Sequence, residues 1–129
     1  MVSVYQKEST GFLHGAAEQL PVTIVEPDGV GEINMGCGWY RVAPGKECKL
    51  HVHQRKTETW FIVQGSGLLR LGDDEVEVSA GCAIFTPPGT PHSIRNTGKE
   101  PILFVDVTYP RIGRDPETGM PLDSTDLEE

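Results

Sequence analysis

Gly45-Lys46-Glu47-Cys48-Lys49-Leu50-His51-Val52-His53-Gln54-Arg55-Lys56-Thr57-Glu58-Thr59-Trp60-Phe61-Ile62-Val63-Gln64-Gly65 is the most informative stretch of this 129-residue chain. Two glycines bracket a strand-like run, a polar connection from Gln54 to Thr57, and a second apolar run. Side chains alternate across a strand, so His51 and His53 leave on one face, roughly 6.5–7 Å apart at Cα. That separation lets two imidazoles converge on one ion, and Glu58 opens the next run where it can return to the same place. A third histidine, His92, follows Pro87-Pro88-Gly89-Thr90-Pro91, a rigid turn that delivers it at a strand start. The chain has four histidines in all, and three of them lie between positions 51 and 92.

Outward from this stretch the pattern is steady. Short apolar segments recur near residues 38–43, 48–53, 59–64, 67–71, 75–79, 82–86, 91–95 and 101–108, separated by Gly, Pro or Asp. Even spacing without a helix-period stretch predicts an antiparallel sandwich or barrel. The 15 glycines and 10 prolines agree with many turns and few long helices. One hairpin reads in detail: Leu68-Leu69-Arg70-Leu71 and Val76-Glu77-Val78 flank Gly72-Asp73-Asp74, with the valines on one face and Glu75 and Glu77 on the other.

The length fits a single domain. Residues 1–32 read as an N-terminal arm with one or two strands and a short helical turn around Gly15 to Leu20. Residues 33–109 form the barrel. Residues 110–129 are an acidic tail with almost no apolar side chains. That tail is either a loosely packed terminus or a flap over a pocket, with Arg111 or Arg114 touching an anionic ligand.

Charge narrows the function classes. With 19 acidic against 11 basic residues, net charge −8, the chain lacks the clustered Lys and Arg that nucleic acid or an anionic membrane surface requires. Cys37, Cys48 and Cys82 are an odd number without a Cys-x-x-Cys pair, which argues against a disulfide framework and for a reducing compartment. The first residues carry no apolar signal core, and runs such as Trp60-Phe61-Ile62-Val63 are too short to span a bilayer. The expected location is the cytoplasm.

The full pattern is Gly45-x5-His51-x-His53-x4-Glu58-x6-Gly65, then Gly81-x5-Pro87-x-Gly89-x2-His92-x3-Asn96. It resembles the two signature motifs of the cupin superfamily at all ten defining positions. The resemblance covers residues 45–96 directly and 33–109 by strand pattern. It implies an all-β fold, a single double-stranded β-helix of jelly-roll type, whose interior holds one divalent metal. Carried over by position, His51, His53, Glu58 and His92 are the implied ligands. Three neutral imidazoles and a carboxylate suit Fe, Mn, Ni, Co, Cu or Zn, whereas Ca or Mg prefers oxygen donors. In octahedral geometry two positions stay open for water or substrate.

Around that centre, Trp60 and Ile62 share the parity of Glu58 and are expected to line the pocket. On the preceding strand Tyr40 and Arg41 point to opposite faces. Tyr40 is a hydrogen-bond donor if its face is inward; Arg41 is a carboxylate or phosphate clamp if the other is. Cys48, an odd step from His51, is expected to point away from the metal unless a bulge intervenes. Cys82 is expected to be buried and His14 to lie at the surface. Asn96 is expected to hold a neighbouring strand or loop by hydrogen bonds, and Asp106 faces either solvent or the pocket. The catalytic residue is not legible.

Two function classes follow from the resemblance. The first is a small metalloenzyme of the dioxygenase, isomerase or lyase class acting on a small polar or aromatic molecule. The second is a module that captures a sugar or small acid without turnover. Glu58 to Gly65 is also similar to the cupin part of mannose-6-phosphate isomerases. The chain carries no helix pair for DNA binding, and an open barrel edge implies a homodimer.

Overall fold

The computed structural model describes residues 1–7, 11–29, 31, 33–113, 115–117 and 122–127. Thirteen strands and no helix occur among them, as the turn-rich, evenly spaced sequence predicts. All eight apolar segments of the barrel form strands: β5 (Gly36–Val42), β6 (Glu47–His53), β7 (Thr57–Gln64), β8 (Ser66–Leu71), β9 (Asp74–Ser79), β10 (Ala83–Thr86), β11 (His92–Asn96) and β12 (Ile102–Tyr109).

The N-terminal arm is richer than expected. It holds β1 (Val2–Lys7), β2 (Phe12–Leu13), β3 (Ala17–Gln19) and β4 (Val22–Pro27). β3 occupies the place where a helical turn was expected. Backbone pairing decides this: Glu18 and Gln19 lie opposite Arg41 and Tyr40 of β5, so the arm extends a sheet. β1 and β4 pair with each other as a separate antiparallel ribbon.

Two sheets enclose the interior. One has the order β10-β7-β12-β5-β3-β2; the other, β13-β6-β11-β8-β9, includes β13 (Ser124–Asp126) from the acidic tail. Ladder alternation sends Tyr40, Val42, Trp60, Ile62, Ile84, Ile102 and Phe104 inward from the first sheet. Cys48, Leu69, Val78 and Ile94 meet them from the second. Each fully buried apolar side chain of this kind contributes about 1.5–3 kcal/mol. The tight reversal after β8 places Gly72 at the first turn position with φ +61°, as a two-residue hairpin of this kind requires. Gly65 has φ +87°, and a Cβ there would stand 2.7 Å from the Pro101 carbonyl oxygen, so only glycine fits between β7 and β8. No helix is long and apolar enough to cross a membrane among the described residues.

One irregularity shapes the site. β11 pairs with β6 as His92↔His51 and then Ile94↔Cys48, three residues on β6 opposite two on β11. This is a β-bulge between Cys48 and His51. It turns Cys48 to the interior together with His51, so the bulge exception, and not simple parity, sets the direction of Cys48.

Candidate metal centre

The four ligand candidates come from both sheets. β6 supplies His51 and His53, β11 supplies His92, and β7 supplies Glu58 from the facing sheet. Their donor atoms all lie within 4.8 Å of one another, and all four residues are buried. His92 sits directly across the ladder from His51, with ring centroids 4.1 Å apart.

Backbone carbonyls orient two of the rings. His51 Nδ1 donates to the Lys49 carbonyl at 2.7 Å, and His92 Nδ1 donates to the Thr90 carbonyl at 3.0 Å. Each donation leaves Nε2 to face the cluster. His92 Nε2 then lies 2.9 Å from Glu58 Oε1. A lone pair and a carboxylate do not approach so closely without a cation or proton between them. His53 is buried, yet neither ring nitrogen makes a hydrogen bond. Its Nε2 is 3.6 Å from Glu58 Oε1 and its Nδ1 is 3.6 Å from Asp123 Oδ1. Buried polar atoms in proteins are otherwise nearly always paired. A divalent transition metal would satisfy the His53 lone pair and the His92–Glu58 contact together, so the residues present fit such an ion.

Electrostatics keep the donors in binding form. Burial, then the neighbouring His92 and His14, hold the His51 imidazole well below its ordinary range. Burial also lowers His53 to about 4, against the opposing pull of Glu58. For Glu58 burial acts upward, but the His92 hydrogen bond and the charges of His92, His53 and Lys56 outweigh it and hold the carboxyl below the usual carboxylate range. Neutral imidazoles and an ionised carboxylate are the forms that ligate a metal.

His14 is the residue that sequence reasoning misplaced. It is only 8% exposed, with φ +50°, and its ring stacks on His51 at 3.6 Å and 4°. Its Nδ1 donates to Asp126 Oδ1 at 2.6 Å. The backbone explains why. Residues 14–16 bond to one edge of β6 through Lys49 N–His14 O, Ala16 N–Glu47 O and the Gly15–Cys48 bridge. β13 continues along β6, with Asp126 opposite His51 and Ser124 opposite His53. The N-terminal arm and the tail therefore meet end to end over the His-x-His pair. Burial lowers the His14 imidazole despite Asp126, and raises the Cys48 thiol well above its ordinary value, with Glu58 adding to the effect.

A cavity of about 30 Å³ lies against the cluster, with Tyr40, Trp60, Phe104, Lys56 and Asp106 in its wall. Tyr40 is the inward member of its pair. Arg41 faces out, bonded through Nε and Nη2 to Glu18 Oε1, because β5 turns Tyr40, Val42 and Gly38 toward the core. Of the two alternatives for this strand, the inward face is therefore that of Tyr40, and Arg41 lies on the solvated face. Trp60 packs on His92 at 5.3 Å and lines the cavity. Ile62 is buried too, but it lies opposite Phe104 one step deeper, in the core rather than the cavity wall. Asp106 faces inward with Phe104 and Thr108. Cys82 is half-buried. Asn96 donates Nδ2 to the Val42 and Glu100 carbonyls and accepts from Gly98 N, tying the β11–β12 loop to β5. Arg114 lies outside the described residues.

The family model for the cupin domain matches residues 38–108, more than half of the chain. The chain belongs to the cupin family. The oxalate-binding protein of Thermotoga maritima is similar to this cupin at 29% identity over 116 residues, 78% of this chain and 96% of that protein. An uncharacterised protein of Methanocaldococcus jannaschii is 38% identical over 69 residues, 54% of this chain and 55% of the relative, so that match spans about half of the relative's length. A solved double-stranded β-helix protein of Klebsiella pneumoniae superposes with TM-score 0.63 at 24% identity, covering 95% of this chain and 90% of the other. That likeness concerns the fold.

Proposed function

We propose that this cupin is a small metal-dependent enzyme that holds one divalent transition metal on His51, His53, Glu58 and His92 and acts on a small polar molecule. The observation that carries the reading is His53, a buried imidazole with no hydrogen bond on either nitrogen, set among three other donors within 4.8 Å. Three imidazoles and one carboxylate leave a divalent ion with net positive charge. When bound, such an ion supplies Lewis-acid activation of a chelating oxygen or a docking point for O2. The chain's own residues supply the rest. Lys49 and Thr90 carbonyls fix two rings, Trp60 and Phe104 exclude water, and Tyr40 offers a phenolic donor at the cavity wall.

A second reading is capture of a small acid without turnover. The near-complete coverage of an oxalate-binding relative favours it.

Elemental analysis of protein purified without chelator tests the site. About one equivalent of metal is expected, falling to background in the paired His51→Ala and His92→Ala variant. Unchanged metal content in that variant would refute the ligand assignment. Oxygen uptake against catechols, β-diketones and keto acids separates the enzyme readings. Silence there, with a ligand-induced rise in melting temperature, supports capture.

A further inference from the structure

Two of the three histidine rings at the metal centre are anchored by a carbonyl two residues upstream, and the third is not. His51 Nδ1 donates to the Lys49 carbonyl and His92 Nδ1 to the Thr90 carbonyl. His53 has no hydrogen bond on either nitrogen among the described residues. A neutral imidazole carries one proton on two nitrogens, so an unanchored ring can offer either of them to an ion.

The surroundings of the two nitrogens differ. Nε2 looks toward Glu58 Oε1 at 3.6 Å, inside the cluster, and Nδ1 looks toward Asp123 Oδ1 at 3.6 Å, behind it. Asp123 stands just before β13 in the acidic tail, with its side chain fully enclosed. Its position is set by the connection that follows His53. Gln54 N–H donates to the Asp123 carbonyl at 3.0 Å, Arg55 N–H donates to Oδ2 at 3.2 Å, and the ladder places Ser124 opposite His53. Oδ1 alone is left without a donor. It stands about 0.4 Å beyond hydrogen-bond range of Nδ1.

We infer that Asp123 is a positioning residue of the metal centre: Oδ1 accepts a hydrogen bond from His53 Nδ1–H, which leaves Nε2 as the nitrogen offered to the ion and couples docking of the tail to metal retention. The alternative proton position decides against itself. With the proton on Nε2, His53 would face Glu58, which already has His92 at 2.9 Å, and Asp123 Oδ1 would keep no partner in an enclosed place, which is costly. An acid behind a ligating imidazole also raises the basicity of the ligand. The coupling is reciprocal, so whatever the docked tail adds to ion affinity the bound ion returns to tail docking. The inference rests on the metal-centre reading and adds to it a control exerted by the tail.

The test uses the full chain, zinc as the probe, and the variants Asp123→Ala and Asp123→Asn. Zinc affinity is read by competition with a chelating dye. Alanine is expected to weaken it about tenfold or more. Asparagine keeps the volume, and so the fold where alanine does not, but brings one acceptor and one amine to the N–H groups of His53 and Arg55; its affinity is expected to fall between wild type and alanine. Proton–nitrogen NMR of the zinc-loaded protein, labelled at histidine, should show His53 bound through Nε2 and protonated at Nδ1. In the variants that Nδ1 proton should exchange faster with solvent while the His51 and His92 signals stay, a signature that a merely structural residue would not move. Zinc should also slow amide exchange at Gln54 and Leu127, which bond to the Asp123 and Leu50 carbonyls, and Asp123→Asn should reduce that slowing. Wild-type zinc affinity in both variants, His53 bound through Nδ1, or amides indifferent to zinc would each overturn the inference and leave the metal centre standing. Wild-type protein that takes up no zinc would overturn the metal-centre reading itself.

Discussion

Acid should destabilise the metal-free protein through its buried histidines, and the size of the effect follows from His53. Burial lowers this imidazole from 6.5 to about 4 in the folded state. Between those values the unfolded chain binds a proton that the native state does not, so stability falls as pH falls. By pH 5 His53 alone accounts for about 2 kcal/mol relative to neutral pH, or roughly 5–10 °C in Tm for a domain of this size. His51 and His14 are lowered by burial as well and add in the same direction. Glu58, held below its ordinary value, keeps its contribution through this window and loses it only at lower pH. The measurement is urea unfolding of metal-free protein from pH 7.5 to 5, with the absence of metal checked by elemental analysis. His53→Gln should reduce the slope by about one proton, near 1.4 kcal/mol per pH unit at its steepest. A flat profile, or a slope that His53→Gln leaves untouched, would refute the account of a buried neutral imidazole.

Three further substitutions probe the fold. Phe104, buried between Tyr40 at 5.4 Å and Trp60 at 4.4 Å, should cost about 3–5 kcal/mol when changed to alanine; a Tm within 3 °C of wild type, roughly what 1 kcal/mol produces, contradicts the packing. Arg41→Ala removes a pair whose arginine side chain is 46% exposed, so it should change stability by about 1 kcal/mol or less and leave metal content as it was; loss of metal would show that Arg41 reaches the site. Gly65→Ala places a Cβ 2.7 Å from the Pro101 oxygen and 3.0 Å from Ile102 Cα at φ +87°. It should destabilise by at least about 1 kcal/mol, read by chemical denaturation, and a neutral result would refute the close approach of the β7–β8 turn to β12.

The barrel strands were legible because each carries a two-residue alternation bounded by Gly or Pro, and that signal is local. His51, His53 and Glu58 were legible for the same reason, since strand parity and a short polar loop determine where they emerge. What local pattern lacks is register. Tyr40 and Arg41 could not be ordered until β5 was paired with β12, Tyr40 opposite Phe104. Cys48 takes the exception allowed for it, because parity counts residues and the bulge opposite His92 and Ile94 inserts one. Asp106 faces the cavity for a reason held entirely in the pairing of β12 with β5 and β7.

His14 and the tail were hidden by sequence distance. His14 and Asp126 are 112 positions apart, and neither flanking segment has an apolar pattern that announces a strand. They meet because β6 offers a single free edge beside the His-x-His pair, which the arm fills along residues 47–49 and β13 fills along residues 51–53. A tail read as surplus acid thus places Asp123 3.6 Å from His53 Nδ1 and Asp126 2.6 Å from His14 Nδ1. Three imidazoles and Glu58 would leave a bound divalent ion one positive charge in excess, and the Asp123 carboxylate behind His53 would offset part of it. The closest acids from the tail stand on that side of the rings, whereas Arg111 lies at a second, adjoining cavity and Lys56 lines both. The net charge of −8 therefore conceals a local arrangement in which tail acids lie behind the histidines and basic side chains line the neighbouring cavity.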